Sequence, residues 1–83
     1  MKNTITVLYF AQIAELLGKR QETWDWPGSA TVEQWLQTLH ERYPATVSIG
    51  GRLKVAVNQH YASPQTLIES GDEVAVFEPV TGG

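Results

Sequence analysis

The chain closes on Pro79-Val80-Thr81-Gly82-Gly83. Two bare glycines bury nothing, so any chemistry at this end belongs to the backbone and the last carbonyl. A terminal carboxylate is ionised at neutral pH and inert toward nucleophiles. It becomes reactive once a better leaving group, such as AMP in a mixed anhydride, is attached. A sulfur donor then displaces AMP and leaves a thiocarboxylate, a route that needs no cysteine in the carrier, and the chain has none. Glycines 82 and 83 are slim enough to enter a channel no wider than the backbone, at an ordering cost of about 1–2 kcal/mol per residue that a partner must offset. Pro79 cannot extend a sheet ladder, and Val80 and Thr81 favour extended backbone. Residues 79–83 therefore read as a projecting tail of about 17 Å.

Elsewhere the residues offer little catalysis. His40 and His60 have no second His or Cys at metal-ligand spacing. The nine carboxylates are spread singly, and Asp72-Glu73 reads as turn chemistry. Gly50-Gly51 is too short for a phosphate-binding loop.

The elements that must position the tail come from 83 residues, enough for one domain with a modest core. A hydrophobic share of 42% against 18% charged excludes disorder. A net charge of −3 without a basic block argues against nucleic acid and membrane partners. No apolar h-region follows Met1-Lys2-Asn3-Thr4, the longest apolar run being Val7 to Ala11, so no secretory leader is expected and the cytoplasm is the expected compartment.

Residues 4–10 predict a strand, with Ile5, Val7 and Tyr9 on one face and Thr4, Thr6, Leu8 and Phe10 on the other. Residues 11–17 predict a short helix stopped by Gly18, with Ile13, Leu16 and Leu17 on its buried side. Residues 22–26 predict a short strand. Val32, Trp35, Leu36, Leu39 and Tyr43 form one apolar stripe, opened by the capping box Thr31/Gln34 and closed before Pro44. Gly50-Gly51 reads as a loop, residues 53–58 as a strand, and Ser63-Pro64 as the opening of a turn through Leu67. After the Ser70-Gly71-Asp72 turn, residues 73–77 form the last strand, with Val74 and Val76 facing opposite to Ala75 and Phe77. Two helices cannot cover both faces of so small a sheet. The expectation is an α+β fold: a β-grasp with a mixed four- to five-stranded sheet, helices on one face, and parallel first and last strands at its centre. Leu8, Phe10 and Phe77 then form an apolar patch where the tail leaves. The plainer alternative tucks Phe10 under the following helix and Phe77 under the loop of residues 60–66.

Three stretches, "YFAQIAELLG" (9–18), "VAVNQ" (55–59) and "GDEVAVFEPVTGG" (71–83), carry a resemblance over nearly the whole chain. The sequence resembles the small, sulfur-carrier subunit of molybdopterin synthase, a ubiquitin-like β-grasp family. The resemblance implies a carrier domain over residues 1–78 and a Gly-Gly tail over 79–83. It implies that an ATP-dependent enzyme adenylylates Gly83 and that a sulfurtransferase system supplies sulfur for a thiocarboxylate there. The tail, through Pro79, Val80, Thr81 and Gly82, would insert into the large catalytic subunit within a heterotetramer. Its sulfur would build the dithiolene of molybdopterin from cyclic pyranopterin monophosphate. The carrier itself would bind no cofactor, and Phe10, Tyr61 and Phe77 would contact the partner.

Two positions depart from the family. Ala14 stands where the family often has Arg, and Glu78 stands where the first of two prolines is usual. The same tail chemistry would serve a carrier for another pathway, such as thiamine synthesis, or a ubiquitin-like modifier that joins Gly83 to lysines. An interaction module with an idle tail is the remaining alternative.

Overall fold

A computed structural model describes residues 3–79. The expectations for Val80, Thr81, Gly82 and Gly83 lie outside the described residues. The elements run β1 (Thr4–Tyr9), α1 (Ala11–Leu17), β2 (Gln21–Asp25), β3 (Ser29–Thr31), α2 (Val32–Arg42), a 3₁₀ helix (Pro44–Arg52), β4 (Lys54–Val57), β5 (His60–Tyr61), β6 (Leu67–Glu69) and β7 (Glu73–Phe77).

Five strands form one mixed sheet in the order β2-β1-β7-β4-β5. The first and last strands are parallel and adjacent at its centre, with Val7 beside Val74 and Tyr9 beside Val76. This is the β-grasp arrangement that the alternation of residues 4–10 and 73–77 predicts. Ile5, Val7, Tyr9, Val74 and Val76 are buried on one face, and Trp24, Val55 and Val57 extend that face to the flanking strands. Ile13 of α1 and Val32, Trp35 and Leu39 of α2 close over it. Trp24 and Trp35 meet with ring centroids 5.2 Å apart, and the Arg42 guanidinium lies 4.1 Å from the Trp24 ring centroid.

Local chemistry sets the element ends. The Thr31 hydroxyl accepts from Gln34 N at 3.2 Å and the Gln34 side chain accepts from Thr31 N at 2.9 Å, completing the capping box. Gly18 ends α1 at φ +70, a left-handed conformation that glycine adopts without steric penalty. Asn58 and Gln59, both at positive φ, make the two-residue turn between β4 and β5.

Four details differ from the sequence expectation. Leu16 points outward, 46% exposed, because α1 buries Ile13, with Ala14 and Leu17 packed beside it. Gly50-Gly51 belongs to the 3₁₀ helix rather than to a loop. Gly50 lets the His40 ring approach so closely that a Cβ would sit 2.8 Å from Nε2. Leu67 is not the end of a turn but the start of β6. Strand β6 pairs with β3 in a separate two-stranded sheet, with Ile68 opposite Ala30. His60 and Tyr61 form an edge strand on β4 that no alternation announced.

Candidate functional site

The face of the sheet turned away from the helices is the candidate site. Strand register builds it directly. Leu8 pairs with Ala75, Ala75 with Ala56, and Ala56 with Tyr61, giving one row across four strands. One row nearer the strand ends, the Phe10 amide donates to the Val76 carbonyl at 3.1 Å, and Phe77 pairs with Lys54. Ala56 and Ala75 therefore share a face with the larger Leu8, Phe10, Tyr61 and Phe77.

The aromatic rim is open. Phe10 is 49% and Tyr61 87% exposed, while Phe77 is half-buried. The Tyr61 and Phe77 rings lean on each other at 5.8 Å between centroids and 54° between planes. Phe10 does not tuck under α1: the chain turns at Ala11, with φ +56, and leaves the ring on the outer face. Phe77 is only partly covered, and Tyr61 at the start of the 60–66 segment is the ring that leans on it. Beside Phe10 an open groove of about 710 Å³ continues the patch, lined by Leu8, Phe10, Ala14, Gly18 and Lys19 among others. Ala14 thus contributes to the floor of a groove. Pro79 is exposed two residues beyond Phe77, so the root of the tail adjoins the patch.

Behind the patch sits a polar cluster that sequence reading missed. The Tyr9 hydroxyl donates to Glu22 Oε2, and the Tyr43 hydroxyl lies 2.9 and 2.8 Å from the two Glu22 oxygens. Lys19 Nζ donates to the Tyr43 hydroxyl at 3.1 Å and lies 3.6 Å from Glu22 Oε1. Burial works against the Glu22 charge, but the two tyrosine hydroxyls and the Lys19 ammonium outweigh it and hold the carboxyl below its usual range. Trp24 Nε1 is near enough to favour that charge but meets no acceptor in hydrogen-bond geometry among the described residues. Burial, then the hydrogen bond to Glu22, pushes the Tyr9 hydroxyl far above its ordinary value. The cluster ties the end of β1, the start of β2 and the end of α2 together immediately before Phe10. Apart from the Lys19–Glu22 pair, three residues apart, the contacts span 13 to 24 residues in sequence, so no local pattern announces the cluster.

Among the described residues, no group of three or more His, Cys, Asp or Glu comes together to hold a metal ion. His40 Nδ1 is engaged with the Thr46 hydroxyl at 2.7 Å, and His60 is exposed on β5. No helix among the described residues is long and apolar enough to cross a membrane. Register and alternation bring together Phe10, Tyr61 and Phe77, with Pro79 close by. What this surface can do is bind an apolar partner surface beside the tail.

The ThiS family model matches residues 7–83. The molybdopterin synthase sulfur carrier subunit of Caenorhabditis elegans is 38% identical over 82 residues, covering 96% of this chain and 98% of that one. The subunit of the same name from Escherichia coli K12 is also 38% identical, over 95% and 99% of the two chains. Among solved structures, SAMP1 of Haloferax volcanii, a small archaeal modifier protein, superposes with a TM-score of 0.79 at 33% identity, over 96% and 99%. With its five-stranded β-grasp sheet, its open aromatic face and these full-length likenesses, the chain belongs to the ThiS family, alongside the molybdopterin synthase sulfur carrier subunits.

Proposed function

We propose that the chain is a sulfur carrier for molybdopterin synthesis, and that its working atom is the carbonyl carbon of Gly83. The observation that carries this reading is the rim of exposed Phe10 and Tyr61 with half-buried Phe77, which lies two residues before Pro79. A partner gripping that rim would have the tail beside it. The sulfur-carrier relatives support the choice of pathway.

The chemistry runs in three steps. A Gly83 carboxylate oxygen attacks the α-phosphorus of ATP on an activating enzyme, and pyrophosphate leaves. A sulfide-level nucleophile from a sulfurtransferase system attacks the carbonyl carbon, and AMP leaves with the C–O electron pair. On the large synthase subunit, in a heterotetramer, the thiocarboxylate sulfur attacks a side-chain carbon of the cyclic pyranopterin, and the carbon–oxygen bond at that carbon breaks, its electron pair leaving with the oxygen. Water then cleaves the resulting thioester and restores the carboxylate, so each dithiolene consumes two charged carriers. Residues 1–78 serve as the gripped body and residues 79–83 as the inserted arm, in the cytoplasm where ATP is supplied. The carrier holds no cofactor and is a co-substrate; catalysis belongs to the large subunit.

Intact mass after incubation with ATP, an activating enzyme and a sulfur donor tests this. The expected result is a gain equal to one oxygen replaced by sulfur, mapped to the C-terminal peptide. An unchanged mass with competent enzymes overturns it. The likeness to the archaeal modifier favours one second reading, attachment of Gly83 to lysines. Isopeptide adducts in place of a thiocarboxylate would establish that instead.

A further inference from the structure

Glu78 is the first residue beyond β7. Alternation from Val74 and Val76 turns it toward the helix side, and its side chain is only 12% exposed. Oε2 lies 3.5 Å from Nε of Arg52. Oε1 is inaccessible and has no hydrogen-bond partner among the described residues. A carboxylate so enclosed and only half satisfied is costly to keep, and an apolar side chain would avoid that cost. A gain in geometry would offset it.

The position of Arg52 indicates which geometry. It ends the 3₁₀ helix and stands just before β4, whose Lys54 forms with Phe77 the last rung of the β4–β7 ladder. The Arg52–Glu78 pair therefore links the segments flanking β4 and β7 just past the point where backbone pairing stops. Pro79 already restricts Glu78 to extended backbone. A side-chain tether on the same residue leaves the departing chain little freedom to swing.

We propose that Arg52 and Glu78 form an electrostatic clamp that sets the direction in which residues 79–83 leave the sheet. It does with charge what a proline at position 78 does with its ring. Arg52 is thus a positioning residue for sulfur delivery; this rests on the tail being the working end. Because the Arg52 side chain is 67% exposed, the effect is modest and salt-sensitive.

The test uses the full chain with Arg52→Ala, Glu78→Gln, Glu78→Pro and the doubles, read by ¹⁵N heteronuclear NOE at residues 80–83 and by sulfur transfer to the large subunit. Arg52→Ala should lower the NOE at Val80 and Thr81. It should raise the KM for the carrier by about two- to fivefold at unchanged kcat, since an inserted tail is held by the partner. Glu78→Gln should match it and add nothing to it, and Glu78→Pro should restore both readouts in the Arg52→Ala background. A purely structural role would lower Tm without rescue by proline. Unchanged NOE and KM in Arg52→Ala, additive losses in the Gln double, or no rescue by a folded Pro double would each overturn the clamp. Should the wild-type protein transfer no sulfur at all, the functional reading falls and the NOE series alone decides the clamp.

Discussion

The two faces of the central strands both carry large apolar residues, and those residues are treated in opposite ways. On one, Val7, Val74 and Val76 are fully enclosed by two helices. On the other, Phe10 and Tyr61 stand in solvent on a face shared with Ala56 and Ala75. A domain of 83 residues has little stability to spare. Leaving aromatic rings uncovered forgoes burial that the fold would otherwise gain at roughly 25 cal/mol per Å². The difference teaches where two demands would be met: the enclosed face supports folding, and the open face is the one that the proposed function assigns to a partner.

That contrast predicts effects that separate by face. The largest is Trp35→Ala, a fully buried ring against Trp24, which should cost about 3–5 kcal/mol in urea unfolding and leave the domain barely folded at 37 °C. Next is Phe10→Ala. Its unfolding free energy should stay within about 0.5 kcal/mol of wild type, while calorimetric binding to the large subunit weakens by about 2 kcal/mol. Equal losses on both measurements would erase the distinction between the faces.

A smaller effect concerns the polar cluster around Glu22. The Glu22 carboxyl lies below its ordinary range in the fold. The stability it contributes is therefore complete above the unfolded value of about 4.3 and lost as pH falls through the depressed folded value. Tyr9 acts in the other direction. Its raised hydroxyl contributes stability that is complete below about pH 10 and lost as pH rises through the higher folded value. Glu22→Gln should cost about 1–2 kcal/mol at neutral pH and flatten the acid limb of the stability profile. An unchanged acid limb would remove Glu22 from the account. Smallest is Thr31→Ala, which loses one half of the capping box and should cost about 1 kcal/mol with binding unaltered.

Much of the framework could be read from the sequence, for physical reasons. Alternation over residues 4–10 and 73–77 and the stripe from Val32 to Tyr43 are local patterns imposed by a single core. They indicated the central strands and the main helix, and they set Phe10 and Phe77 opposite the buried face while leaving open whether a helix or loop covers them. What escaped was non-local or too short for a pattern. Strands β3, β5 and β6 have two or three residues each and exist only through their pairing. Leu16 turned outward because Ala14, small enough to fit, took its place against the core. Gly50 reads as a loop residue, yet its use is to admit His40. At the site, Tyr61 entered through family resemblance rather than periodicity. The contacts of Glu22 with Tyr9 and Tyr43, and of Arg52 with Glu78, join residues far apart in the chain, which sequence spacing does not disclose.

The account turns on delivery of sulfur from the last main-chain carbonyl by a folded body that is otherwise indifferent to it. A single-turnover sulfur-transfer assay on a variant bearing one extra residue after Gly83, with its Tm measured alongside, addresses that point. Wild-type Tm with no thiocarboxylate and no dithiolene product is the expected outcome. Product formed at the wild-type rate from the extended chain, with the added residue still attached, would show that the reactive carbonyl lies elsewhere.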